Sequence, residues 1–277
     1  MRQHTLKAEV TYEGVGVHTG KPCRVTLRPA KENSGRVFRT PEGVEIPARV
    51  DFVTKCDRST VLGREGSAVH TPEHLLSALA ACLVDNVEIE LTGPEIPILD
   101  GSSARFYRGI QAVGLRELPA DAVVLKPQKP YVVKGEDGQL VLLLPSDKTV
   151  WEYSLYYDHP MLGYQHCVFE SESGDYGTEI APARTFALWE EVQPLLERGL
   201  AQGGSLDNAL VVYRDRFSSP LTVGNEPVRH KCLDLIGDFA LLDARIQARV
   251  LAVRAGHRLH VEAVKAFWEE TKVLERS

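Results

Sequence analysis

The chain has 277 residues, 43% hydrophobic and 25% charged, enough apolar material for one large core or two ordinary ones and too much for a disordered protein. A net charge of −6 and a pI near 5.9 argue against nucleic acid as a partner, because that surface is normally basic. Neither the opening MRQHTLKAEV nor any later window carries the roughly 18 apolar residues of a membrane span, so a cytoplasmic protein without a transmembrane segment is expected. The five cysteines, Cys23, Cys56, Cys82, Cys167 and Cys232, are scattered without a C-x-x-C pair. That pattern fits neither a disulfide framework nor a thiolate zinc site.

In chain order, strand-like alternation opens the sequence in AEVTYEG, PCRVTLRPA and GRVFRT, with Gly, Pro and Asn at the turns. A helix is predicted over about 72–83, then a strand NVEIEL (86–91), a loop TGPEIPILDGSS, and a helix ARFYRGIQAVG (104–114). Residues 115–130 are Pro-rich and aperiodic, the best candidate for a domain boundary, which puts one domain at 1–118 and another at 122–277. Strands return in YVVKG, QLVLLLP and WEYSLYY. A helix from about 184, a helix from about 229, a strand at 244–253, a loop RAGH and a last helix RLHVEAVKAFWEE complete the chain.

Both halves therefore end in helix, strand, Gly-containing loop and helix, with a histidine near the start of the first helix. Gly101 follows His74 by 27 positions and Gly256 follows His230 by 26. An ancient duplication is expected, and the helices bearing His74 and His230 would then face one another.

Within HKCLD, His230 and Asp234 are four apart and share a helix face, about 6 Å apart along the axis. Such a pair supplies two ligands to a divalent metal, and a catalytic zinc wants three protein ligands plus an open position. His74 is the natural third, and Glu73 beside it is placed to take a proton from a metal-bound water, as in H-E-x-x-H metalloproteases. Plainer readings stand next to this one: Glu73 suits a helix N-terminus, Thr71 and Pro72 suit an N-cap, and H-x-x-x-D pairs are common on helix surfaces.

The segments TPEHLLSALAACLVDNVEIELTGPEIPILDGSSARF, PARTF, GGSLDNALVV, VRHKCLDLIGDFALL and AGHRLH, together with GVGVHTGKP near the start, resemble the UDP-3-O-acyl-N-acetylglucosamine deacetylases, the zinc amidases of lipid A biosynthesis. The resemblance covers essentially the whole chain. It implies an α+β fold of two similar sheet-plus-helices domains with the active site in the cleft between them. It implies Zn2+ held by His74, His230 and Asp234, with Glu73 as general base, His257 as the second catalytic residue and Asp238 as the acid accompanying it. The implied substrate is a small molecule, UDP-3-O-(3-hydroxyacyl)-N-acetylglucosamine, hydrolysed to acetate and the free amine. A monomer without a nucleic-acid partner is expected.

The same resemblance gives the Thr185 hydroxyl to an oxyanion, where capping a helix from Phe186 is the plainer alternative. Phe186 is placed with the substrate-binding residues. Lys231 and Arg254 flank the ligand segments and are candidates to contact diphosphate or sugar, or are ordinary surface charges. Tyr157 is a candidate to stack on uracil, or a core aromatic. Residues 198–212 are expected to line a passage for the acyl chain. His18 and Asp100 are expected in turn or packing roles. Two other functions stay open at this stage: a zinc deacylase of a different N-acyl sugar, and a non-catalytic sugar-nucleotide-binding regulator on the same fold. Retention of Glu73, His74, His230, Asp234 and His257 argues against the regulator.

Overall fold

The computed structural model describes residues 1–274. The first half runs β1 (Arg2–Leu6), β2 (Val10–Val15), β3 (Pro22–Pro29), β4 (Arg36–Arg39), β5 (Glu45–Pro47), β6 (Val53–Cys56), β7 (Thr60–Arg64), β8 (Ser67–His70), α1 (Glu73–Ala81), β9 (Val87–Leu91) and α2 (Ala104–Val113). After β10 (Leu115–Asp121) and β11 (Val124–Leu125) come β12 (Tyr131–Lys134), β13 (Leu140–Pro145), β14 (Val150–Tyr157), β15 (Gly163–Glu170), α3 (Tyr176–Glu179), β16 (Phe186–Leu188), α4 (Trp189–Glu197), β17 (Leu210–Val212), α5 (Glu226–Phe239), β18 (Arg245–Ile246), β19 (Ala248–Val253) and α6 (His257–Leu274).

The two principal sheets repeat one topology. The first has the order β2-β3-β9-β4-β5 and the second β12-β13-β19-β14-β15. Every neighbouring pair is antiparallel except β4 with β9 and β14 with β19. Four strands, an insertion, a helix, a strand and a helix thus occur twice, and only the closing helix, strand and helix of each half are read from the sequence. The insertions differ: a three-stranded sheet β6-β7-β8 in the first half, and α3 to β17 in the second. The fold is α+β, with two similar halves.

Alternation builds the strands, as in β9, where Val87, Ile89 and Leu91 are buried and Glu88 and Glu90 are half-buried. Helix α1 packs on α5, which packs in turn on β14 and β15. Consequently every residue of α5 except Arg229 and Lys231 is buried, and its polar residues Glu226, His230, Asp234 and Asp238 form a row at four-residue spacing inside the protein. Acids are almost never fully buried without partners, so this row marks the centre of the molecule's chemistry.

Several elements depart from the sequence expectation. Thr71 does not cap α1: its backbone is left-handed at φ +55° and its hydroxyl donates to Glu95 Oε1 at 3.0 Å. A β-branched residue in that region is strained. The Pro-rich stretch is irregular only in part, because β10 pairs antiparallel with β1 and β11 pairs parallel with β18. The helix expected from 184 starts at Trp189, since Phe186–Leu188 pair parallel with Leu210–Val212 instead. Tertiary pairing overrides helical periodicity there. Gln247 interrupts the strand expected at 244–253, and His257 is the first residue of α6 rather than a loop residue. No described helix is long and apolar enough to cross a membrane.

Candidate active site

His74 enters from the first turn of α1, and His230 and Asp234 from successive turns of α5. His230 Nδ1 donates to the Ala183 carbonyl at 3.0 Å. A carbonyl only accepts, so the single N–H of a neutral ring lies there and Nε2 presents a lone pair. That nitrogen is 3.4 Å from Asp234 Oδ1, and His74 Nε2 is 3.7 Å from the same oxygen. The two rings stand 5.0 Å apart at 87°. One ligand atom from each of the three residues falls within 4.8 Å of the others, and all three residues are buried.

Electrostatics keep these groups in ligand form. Burial, helped by the neighbouring His230, pulls His74 down to about 3, and burial likewise lowers His230. Burial alone would raise Asp234, but the Lys231 ammonium, whose Nζ donates to Asp234 Oδ2 at 2.9 Å, and the surrounding imidazoles hold it well below the usual carboxylate range. Two imidazoles and a carboxylate oxygen converge, a donor set that could hold a divalent metal ion, since ligand distances of about 2 Å are compatible with spacings of this size.

Beside this triangle lies a second cluster. Glu73 is 2% exposed, its Oε2 has no hydrogen-bond partner among the described residues, and its Oε1 lies 3.8 Å from His257 Nε2. Burial raises the Glu73 carboxyl to about 8, opposed by His257. His257 Nδ1 donates to Asp238 Oδ2 at 2.8 Å. Burial opposes charge on His257, but Asp238 and then Glu73 outweigh it and raise the imidazole to about 9. Asp238 accepts two further hydrogen bonds, from Thr60 Oγ1 to Oδ1 at 2.7 Å and from His260 Nδ1 to Oδ2 at 2.9 Å. Neither Thr60 nor His260 is picked out by sequence reasoning, although AGHRLH contains the second.

Both clusters open into a cavity of about 560 Å³ lined from both halves, which puts the site in the cleft between them. Thr185, Phe186, Tyr157 and Lys231 line it with Glu73, His74, His230, Asp234 and His257. Thr185 is pinned on both sides, its N–H donating to the Gly101 carbonyl at 2.7 Å and its carbonyl accepting from Leu210 N–H at 2.8 Å. The Phe186 ring lies 6.0 Å from Tyr157 and 6.5 Å from His230, with the Lys231 ammonium 5.8 Å above it. Arg254 is not brought to the cavity. It is exposed, its guanidinium donates to the Asp137 carbonyl at 3.0 Å and it stacks over Tyr156.

The apolar arm of the cavity is lined by Leu206, Ala209 and Val211 from the segment read as an acyl passage. Leu188, Val192 and Leu196 join them from β16 and α4, which the sequence placed in one long helix. Acids hold the surrounding loops. Glu95 accepts from the backbone N–H groups of His18 and Thr19 at 2.9 and 2.7 Å, fixing the GVGVHTG loop and bringing His18 to the cavity wall. Asp100 accepts from Ser102 N–H at 3.1 Å and its hydroxyl at 2.8 Å, a turn contact as expected. Gly101, at φ +83°, would drive a Cβ into the Asn208 carbonyl. Glu226, at the head of α5, accepts from Arg184 N–H at 2.9 Å and Nε at 2.7 Å and so fixes the segment that carries Ala183 and Thr185.

Comparison with known proteins gives one consistent result. A family model described as UDP-3-O-acyl N-acetylglycosamine deacetylase matches residues 3–269. The chain is similar to the UDP-3-O-acyl-N-acetylglucosamine deacetylase of Chlamydia muridarum, at 43% identity over 94% of this chain and 92% of the relative. The protein of that name from Thermosynechococcus vestitus is 42% identical over 97% and 94%, and that of Aliarcobacter butzleri 38% over 98% and 91%.

Proposed function

The chain belongs to the UDP-3-O-acyl N-acetylglycosamine deacetylase family, and from that membership we propose the residues and the metal by which it removes the N-acetyl group of a UDP-3-O-acyl-N-acetylglucosamine in lipid A biosynthesis. The metal would be zinc, with His74, His230 and Asp234 to hold it. When bound there, zinc supplies a Lewis acid that acidifies a water and polarises the acetyl carbonyl, and its charge opposes the burial that raises Glu73. The convergence of those three ligand atoms beside Glu73 and His257 is the observation that carries the reading.

Glu73 takes the proton of the attacking water, its unpaired Oε2 being free to receive it. The Thr185 hydroxyl, on a backbone fixed at both ends, donates to the oxyanion that forms from the acetyl carbonyl oxygen when the water attacks its carbon. His257, held charged by Asp238, stabilises that oxyanion through Nε2–H and protonates the departing amine. Lys231 holds the Asp234 carboxylate at 2.9 Å and offers its remaining protons to the sugar or diphosphate. Phe186 and Tyr157 form an aromatic wall for the sugar-nucleotide, and the apolar arm takes the 3-hydroxyacyl chain. We also propose two domains, 1–118 and 122–277, and a monomer acting in the cytoplasm.

The test compares UDP-3-O-acyl-N-acetylglucosamine with free N-acetylglucosamine as substrates of the zinc-loaded protein. Release of acetate from the UDP-linked substrate at a kcat/KM several orders of magnitude higher supports the reading. Equal rates on both would contradict the assignment of the aromatic wall and the apolar arm.

A further inference from the structure

We infer that His260 is a positioning residue for this reaction, its Nδ1–H fixing the Asp238 carboxylate that aims His257. The inference rests on the site proposed above and adds a residue to it. His257 and His260 lie three positions apart in the first turn of α6 and reach the same oxygen, Asp238 Oδ2, at 2.8 and 2.9 Å. Thr60 Oγ1, from β7 of the other half, holds Oδ1 at 2.7 Å. Three donors from two elements therefore clamp one carboxylate. Without His260, Oδ2 would be held only by the ring it is meant to orient, and the carboxylate could pivot about its Thr60 bond.

The protonation of His260 follows from its surroundings. The side chain is fully buried, the Tyr153 ring meets it edge to face at 6.0 Å, and burial lowers its pKa. A neutral ring has one N–H, and a carboxylate can only accept, so that proton is on Nδ1. Nε2 is left a bare acceptor, and it has no hydrogen-bond partner among the described residues. An unsatisfied buried nitrogen is a cost that a hydrocarbon ring of the same shape would avoid, so filling space does not account for a histidine here. The Asp238, His257 and His260 atoms lie close enough together to suggest a second cation site, but both Nδ1 atoms are already donating to the carboxylate.

Two substitutions separate the hydrogen bond from the packing. His260→Asn keeps a donor at about the position of Nδ1 and removes the rest of the ring, whereas His260→Phe keeps a ring and removes the donor. With metal content and thermal unfolding matched to the parent, His260→Phe is expected to lower kcat about 10- to 100-fold with little change in KM, the usual cost of misplacing a supported group. His260→Asn is expected to stay within about threefold of the parent. His260→Leu replaces the Phe variant if the latter does not fold. A parent-like kcat without the donor, or an Asn variant as slow as the donorless one, overturns the inference. If the parent protein does not deacetylate the UDP-linked substrate, the site reading fails instead, and a crystal structure of the donorless variant decides the inference on its own: a rotated His257 ring supports it, and an unmoved ring with its 2.8 Å bond to Asp238 intact overturns it.

Discussion

Gly237 of α5 lies directly against the backbone of Glu73 in α1. A Cβ at 237 would collide with the Glu73 carbonyl oxygen and sit within 2.8 Å of the carbonyl carbon. The helices bearing the proposed base and the proposed metal ligands touch at the residue that must be placed most accurately, and glycine permits that approach. Gly237→Ala is therefore expected to push α1 away, costing about 1–3 kcal/mol of stability, the usual price of overpacking a core. The kcat should fall further than that loss implies, because Glu73 moves with the backbone. Thermal unfolding and kcat measured on one preparation check this; a destabilised variant with parent-like kcat would show that the crossing does not set the position of Glu73.

Base and ligand are separable by substitution. Glu73→Gln should keep its metal and lose on the order of 10² to 10⁴ in kcat, the scale of general acid–base catalysis. His74→Ala should lose metal affinity and rate together. Metal analysis of the two proteins decides: a Glu73→Gln variant emptied of metal would make Glu73 a ligand.

The His257 imidazole is raised to about 9 with Asp238 as the leading favourable cause. A group that must be protonated gives the basic limb of the kcat/KM profile, where activity falls as pH rises through its pKa. Removing the Asp238 charge lowers that pKa, so Asp238→Asn should move the basic limb to lower pH and reduce kcat about 10- to 100-fold while keeping metal. An unmoved limb and rate would eliminate the pairing.

Glu226 and Arg184 form a buried ion pair, with side chains 0% and 13% exposed. Burial pushes the Glu226 carboxyl up, but Arg184 and the backbone donors of Arg184 and Thr222 bring it below its ordinary value. A depressed carboxyl pKa stabilises the fold above the unfolded value of about 4.3 and loses that stabilisation as pH falls through the folded value. Glu226→Ala should cost about 3–5 kcal/mol near neutral pH. Glu226→Gln should be less stable than the parent at pH 7, with the two denaturant midpoints converging below about pH 4. A constant gap across pH would rule out the charge as the origin.

Much of this site is legible in the sequence because its groups sit at helical spacing. His230, Asp234 and Asp238 are one row, and a residue about 12 Å along the axis from His230 cannot share its metal. Spacing leaves both a solvent-facing acid and a partner of His257 open for Asp238; the family resemblance favours the second, and His257 Nδ1 donates to Asp238 Oδ2 at 2.8 Å. What the sequence conceals comes from distant partners: Thr60 reaches Asp238 across 178 positions, and Glu95 holds the backbone of Thr19 from 76 positions away. Local pattern also misreads short strands whose reason is tertiary. Phe186–Leu188 pair with Leu210–Val212 inside a sequence with helical periodicity, and that pairing separates the cavity-lining helix α4 from the segment carrying Thr185. Arg254, chosen for its charge beside a motif, faces Asp137 because the direction of a side chain at a loop is set by backbone geometry that periodicity does not encode.

Metal stoichiometry followed through chelation and stepwise zinc addition decides whether deacetylation depends on a metal held by His74, His230 and Asp234. About one catalytic metal per chain, activity abolished by a chelator, and activity restored in proportion to substoichiometric zinc are expected, with His74→Ala, His230→Ala and Asp234→Ala each losing the bound metal. Zinc is titrated from below one equivalent because excess metal is expected to inhibit at the carboxylate and imidazole of Glu73 and His257. Full deacetylase activity in rigorously metal-free protein would contradict the account.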